Sequence, residues 1–151
     1  MRARAALLFE QQARVLRTLL PGADLQHVGS TAVPGSLTKG DVDLQVRVDA
    51  SMFAAADACL AAHYDRNVGS IHTDEFSPFK DDSTDPPLGI QLTVIGSRFD
   101  FFWKLRDLFL ARPELREAYD ALKRAHEGRP MTEYRAAKEQ FFAPLLRGLQ
   151  L

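Results

Sequence analysis

A glycine and a serine, Gly29-Ser30, are separated by a ten-residue gap from Asp41-Val42-Asp43-Leu44. Two aspartates at i and i+2 of a strand project from the same face. Their carboxylates can share one or two magnesium ions, hard cations that take oxygen ligands, with manganese as the alternative. Such ions activate an attacking oxygen and stabilise a leaving phosphate. Asp41 and Asp43 are therefore candidate metal ligands and catalytic residues. Gly29 lets the backbone come close to a ligand, Ser30 adds a hydroxyl, and the N–H groups of such a turn, Thr31 included, can cradle phosphate oxygens. Lys39, just ahead of the aspartates, supplies a point charge for a phosphate. Further along, Arg106 either reaches this site or pairs with Asp107, and Tyr134 and Lys138, four apart on one helical face, either grip a base or phosphate or form exposed surface.

Something must hold these residues in place. The clearest strand spans residues 41–48, where Val42, Leu44, Val46 and Val48 alternate with Asp41, Asp43, Gln45 and Arg47, the period of two that a strand requires. A second good strand covers residues 88–95 and a short one residues 25–28. Helical spacing of Ala6, Leu7, Val15, Leu16, Leu19 and Leu20 predicts an amphipathic helix over residues 3–20, closed by Pro21-Gly22. A helix capped by Asp49 or Ser51 runs to about His63. The segment 64–85 is the least legible, with one or two short strands between Arg66 and Phe79 and a loop from Asp81 to Pro87. Three helices fill the last third: one from Ser97 or Arg98 to Arg112, one opened by Pro113, and one capped by Thr132 and ending near Arg147. The order is helix, mixed α/β centre, helical tail, on a single domain of residues 1–151.

The pattern Gly-Ser, a gap of this length, then Asp-x-Asp on a strand resembles the signature of the polymerase-beta-like nucleotidyltransferases. The run His27-Val28-Gly29-Ser30-Thr31-Ala32-Val33-Pro34-Gly35, followed by Lys39 and Asp43-Leu44, is similar to the opening of the GrpB-like (UPF0157) family. Leu105-Arg106-Asp107-Leu108, Pro113, Tyr119 with Lys123, and Tyr134 with Lys138 and Phe141 continue the resemblance through the tail. It implies an α/β (α+β) protein with a minimal nucleotidyltransferase fold: a small mixed sheet flanked by helices, with a helical C-terminal part. It does not imply a known reaction; the Asp pair and the Gly-Ser turn themselves point to a nucleoside triphosphate or another phosphorylated small molecule as ligand, with Mg2+ or Mn2+ as cofactor.

Two departures bear on turnover. Asp41 stands where many members of that family carry an apolar residue, so the Asp-x-Asp pair is complete here. Catalytic nucleotidyltransferases bring a third carboxylate from a later strand, yet the polar face of residues 88–95 offers Gln91 and Thr93, and Asp74 or Glu75 of the least legible segment are the candidates to approach instead. Three readings stay open: magnesium-dependent nucleotidyl transfer to an acceptor the sequence does not identify, a nucleotide-binding module without turnover, and an interaction or chaperone-like module that keeps only the fold.

Composition narrows the field. Of 151 residues, 19 are Lys or Arg and 20 are Asp or Glu, for a net charge of −1, which argues against a general nucleic-acid binder. Cys59 is the single cysteine, so neither an internal disulfide nor a thiolate zinc site is available; its apolar neighbours predict a core position. Phe99, Phe101, Phe102, Trp103 and Phe109 are expected in the core, and His27 is expected there too. With no apolar run long enough to span a membrane and no leader pattern in the first residues, the expectation is a soluble cytoplasmic protein.

Overall fold

A computed structural model describes residues 2–38 and 40–149. Helix α1 (Arg2–Leu19) leads into β1 (Asp24–Val28), a 3-10 turn at Ser30–Ala32, β2 (Val42–Val48), α2 (Phe53–His63), β3 (Asp65–Arg66), β4 (Phe76–Asp81), β5 (Leu88–Val94) and the helices α3 (Phe102–Ala111), α4 (Pro113–Ala125) and α5 (Met131–Leu149). The strands form one mixed sheet in the order β1-β2-β5-β4-β3. β2 and β5 are parallel, whereas β1 pairs antiparallel to β2 and β4 antiparallel to β5 and β3.

The alternation in β2 assigns the two faces of this sheet. Val42, Leu44, Val46 and Val48 lie opposite Leu88, Ile90, Leu92 and Val94, all buried, and pack with Ala5, Leu8 and Leu16 of α1 and Phe53, Ala56 and Leu60 of α2. Directly paired residues share a face. The other face therefore carries Asp24 and Gln26 of β1, Asp43, Gln45 and Arg47 of β2, and Gly89, Gln91 and Thr93 of β5. The C-terminal helices cover this polar side. Phe109, Tyr119, Phe141 and Phe142, with ring centroids 4.9–6.0 Å apart, tie α3, α4 and α5 together.

A buried polar cluster joins α3 to the sheet. Asp100 accepts hydrogen bonds from Arg47 Nε (2.8 Å) and Nη2 (2.7 Å), Gln45 Nε2 (3.0 Å), Trp103 Nε1 (3.1 Å) and the Gly96 amide (2.9 Å). Arg47 also reaches Asp24 at 2.6 Å and lies over the Trp103 ring. Burial opposes ionisation of Asp100, but the bonds from Arg47, Gly96 and Gln45 outweigh it and hold its carboxyl below the usual carboxylate range.

Several boundaries differ from the sequence expectation. Helix α1 buries Ala5, Leu8, Ala13 and Leu16, while Leu7 and Val15 are 60% and 46% exposed. Because Ala5-Ala6-Leu7-Leu8 is apolar throughout, its spacing fits two neighbouring faces, and the one with the small alanines goes inward. Residue 49 heads a 3-10 turn with no side-chain cap before α2 begins at Phe53. Cys59 is half-buried, not in the core, since α2 turns Phe53, Ala56 and Leu60 inward. Helix α3 starts at Phe102, later than Ser97, because residues 97–101 fold back to place Asp100 on the sheet. Thr132 lies inside α5, which begins at Met131 directly after Pro130. No helix among the described residues is long and apolar enough to cross a membrane.

The Asp100 cluster gives a direct test. Asp100→Ala takes from Arg47 the more buried of its two carboxylates and leaves the Trp103 Nε1 and Gly96 donors without their acceptor, and should lower the unfolding free energy by about 3–5 kcal/mol, read from the urea midpoint; a loss below about 1 kcal/mol contradicts this role. Because the carboxyl of Asp100 is held below the usual carboxylate range, its contribution is present at neutral pH and disappears as pH falls through its folded value.

Candidate functional site

Asp43 stands two residues before Gln45 of the polar cluster and is the first charged residue on this face of β2. Its register places Val28 on one side and Gly89 on the other. Gly29, the residue after Val28, has φ 77° and ψ −174°, a region open essentially to glycine alone. A Cβ at Gly29 would also collide with Asp43 Oδ2, and one at Gly89 would stand 2.9 Å from Asp43 Oδ1. The carboxylate is thus wedged between two glycines, and among the described residues none hydrogen-bonds it. Burial, followed by the negative charge of Asp41, pushes its pKa up to about 6, with Lys138 pulling the other way. Asp41 itself is exposed and immediately precedes β2.

The turn that follows β1 is internally tied. Thr31 Oγ1 donates to the Asp41 carbonyl (3.1 Å), and His27 Nε2 lies 3.0 Å from the same hydroxyl. Since the hydroxyl proton goes to Asp41, His27 Nε2 carries a proton and donates. The His27 ring stacks on Phe9, 4.9 Å between centroids, and burial, then the Arg106 charge, lowers its pKa, so it is a neutral, partly buried structural imidazole. Ser30 Oγ donates to Thr38 Oγ1 (3.0 Å), which also accepts the Gly40 amide (3.0 Å). The first N–H groups of the 3-10 turn at Ser30–Ala32 have no partner within that turn.

From the helical side, Tyr119 and Lys138 lie within electrostatic reach of Asp43. The Tyr119 and Tyr134 hydroxyls are 3.2 Å apart; burial, then this bond, raises the Tyr119 phenol above its ordinary value. The structure therefore gathers Gly29, Ser30, Thr31, Asp41 and Asp43 on one side and Tyr134 and Lys138 on the other. Arg106 is engaged elsewhere: it donates to Gln26 Oε1 (2.7 Å) and the His27 carbonyl (3.2 Å) and pairs with Asp107. It holds β1, whose end carries Gly29. Lys39 lies outside the described residues.

Among the described residues no third carboxylate joins Asp41 and Asp43. On β5 the position level with Asp43 is Gly89, and any side chain there would press on Asp43. Asp74 and Glu75 do not approach, because the Glu75 carbonyl bonds the Val94 amide and Phe76 pairs with Thr93, four residues or about 13 Å along β5 from Gly89. Among the described residues no group of three His, Cys, Asp or Glu side chains could hold a metal. Gly89 and Tyr119 are the site residues that sequence reasoning missed. A glycine inside the strand Leu88–Val94 was the available signal for the first, since such a residue marks a close approach. Two shallow surface hollows, of about 240 and 200 Å³, lie at Ala61–Asp65 with Lys80 and Asp81, and around Arg66–Ser70 with His72 and Pro78, away from this site.

The model of the family described as GrpB protein matches residues 3–147. A UPF0157 protein of Vibrio cholerae is 29% identical over 140 residues, covering 92% of this chain and 74% of that protein. The conserved protein GrpB from Enterococcus faecalis has a similar structure, with TM-score 0.74, 17% identity, and 97% and 95% of the two chains covered. Cid1, described as an RNA terminal uridylyl transferase, shares the fold at TM-score 0.54 and 14% identity over 83% of this chain, which spans 40% of Cid1. A second Cid1 structure, described as a poly(U) polymerase with MgGTP bound, matches at TM-score 0.51 and 15% identity, over 76% and 39% of the chains.

The raised Asp43 pKa has a signed consequence. The folded, metal-free protein keeps a proton on Asp43 that the unfolded chain releases between about pH 4 and 6, so stability falls as pH rises through that window, by about 1–3 kcal/mol. Asp43→Asn should abolish this fall and be more stable than the parent at pH 7 in urea unfolding. Equal or lower stability of the variant at pH 7 contradicts the wedge as described.

Proposed function

The chain belongs to the GrpB family, and we propose that it binds a nucleoside triphosphate as its magnesium or manganese complex between the Gly29–Thr31 turn, the Asp41–Asp43 pair and the α4–α5 wall. The observation that carries this reading is the Asp43 carboxylate, held between Gly29 and Gly89 beside a second carboxylate. A protein core ordinarily pairs a partly buried charge; this one is left beside a like charge at a point where two glycines clear the approach.

The donor set suits a hard dication. Asp41 and Asp43 supply oxygen ligands, and Mg2+ commonly uses one or two carboxylates with phosphate oxygens and water completing the shell. When bound, the ion offsets the repulsion between Asp41 and Asp43 and neutralises phosphate charge. The turn amides receive phosphate oxygens, Ser30, while donating to Thr38, keeps its oxygen lone pairs for the cation, and Lys138, with Lys39, balances the remaining charge. The Tyr119–Tyr134 pair offers ring faces for a base. Arg106 acts through β1.

Likeness to Cid1 favours a second reading, nucleotidyl transfer. A two-metal displacement draws on further anionic ligation, and Gly89 occupies the position from which β5 would provide it. The geometry therefore supports binding ahead of turnover.

Thermal unfolding against a panel of nucleoside triphosphates, with and without Mg2+ or Mn2+, tests the binding reading. At about a hundred times its dissociation constant a ligand adds about 2.7 kcal/mol, and this metal-dependent gain should vanish in Asp43→Asn. An unchanged midpoint with every nucleotide and metal overturns it.

A further inference from the structure

Helix α4 grips the loop behind the turn by its main chain. Asp120, 5% exposed, accepts the Leu37 amide on Oδ1 at 3.0 Å. Lys123 Nζ donates to the Leu37 carbonyl at 2.7 Å, and Arg116 Nη1 donates to the Pro34 carbonyl at 3.0 Å. These three residues fall at i, i+4 and i+7, one face of the helix. Gly35, at φ +85°, makes room for the arginine: a Cβ there would stand 2.7 Å from Arg116 Nη1. Both polar groups of Leu37 are thus held by oppositely charged side chains that face each other at 3.9 Å.

The grip is connected at both ends. Thr38, next to Leu37, bonds Ser30 Oγ and the Gly40 amide, so the loop is joined to the turn and to the approach to Asp41. Lys123 also lies over the Tyr119 ring, 4.2 Å from its centroid, and Tyr119 meets Tyr134. One set of side chains therefore spaces the turn from the α4–α5 wall. The grip from α4 could not be inferred from the loop's own side chains, since its three contacts there are to main chain.

We infer that Asp120 is a positioning residue: through the Leu37 amide, and with Lys123 and Arg116, it latches α4 to the loop and sets the Gly29–Thr31 turn in the conformation that receives phosphate, an inference that rests on the ligand reading above. The acceptor oxygen is what the latch uses, so Asp120→Asn keeps it and Asp120→Ala removes it.

Two measurements on the full chain test this. Amide hydrogen exchange without ligand should show residues 29–41 exchanging about ten-fold faster in Asp120→Ala, near parental rates in Asp120→Asn, and no change in β2 and β5 beyond the turn; an orphaned amide of this kind is worth about that factor. Calorimetry with magnesium tripolyphosphate should show binding weakened about ten-fold in Asp120→Ala and restored in Asp120→Asn. Unchanged exchange in Asp120→Ala, acceleration spread equally over the whole sheet, or a loosened loop with unaltered affinity overturns the inference. If the parent protein binds neither tripolyphosphate nor any nucleotide, the ligand reading falls, and the exchange result alone decides whether the latch exists.

Discussion

The Asp43 carboxylate sits on the central pair of strands with no room for a side chain on either flank. Gly29 yields to it at the end of β1, and Gly89 yields to it on the neighbouring parallel strand. Much of the rest of the fold serves this arrangement. The valines and leucines of β2 and β5 are buried against α1 and α2, which fixes the sheet's register, and a one-residue slip would exchange the faces. On the polar face, Asp100 with Arg47 and Gln45 docks α3, and Arg106 of α3 in turn holds β1 next to the turn. A carboxylate held beside a second one costs stability that an ordinary core would not spend, a recurrent feature of sites where function and stability oppose each other.

Electrostatics divides the site into two halves. The sheet side is anionic through Asp41 and Asp43, and the helical side presents Lys123 and Lys138, the second near enough to act on the first. Burial lowers the Lys123 pKa against the opposing pull of the Asp120 charge, and its hydrogen bond to Leu37 and its place over Tyr119 give the ammonium further partners. A phosphate chain with a bound dication would meet favourable charge on both sides. The fold is shared with Cid1 over a region that is under half of that protein, so the likeness concerns the scaffold, and function must be argued from the site.

Much of this was legible in the sequence, for physical reasons. The strand β2 announced itself because one face is buried and the other polar, which imposes period two on Val42–Val48. Gly29-Ser30 and Asp41-Asp43 were visible because their chemistry is distinctive and local. Helix α1 was visible, but its inward face was not, since Ala5, Ala6, Leu7 and Leu8 leave the rotation to tertiary packing. The strands of residues 64–85 were obscure because β3 has only two residues and β4 carries Pro78, which ordinarily argues against a strand. Asp120 gave no signal, and Lys123 stood out only by its spacing with Tyr119, because their partner Leu37 lies over eighty residues away.

The most direct test of the central claim is anomalous diffraction at the manganese edge from crystals grown with Mn2+ and a non-hydrolysable nucleoside triphosphate. The account predicts an anomalous peak in contact with both Asp41 and Asp43, with the triphosphate on the Gly29–Thr31 turn. Ordered nucleotide elsewhere on the protein, or manganese absent from the two carboxylates while the triphosphate is bound, would contradict it.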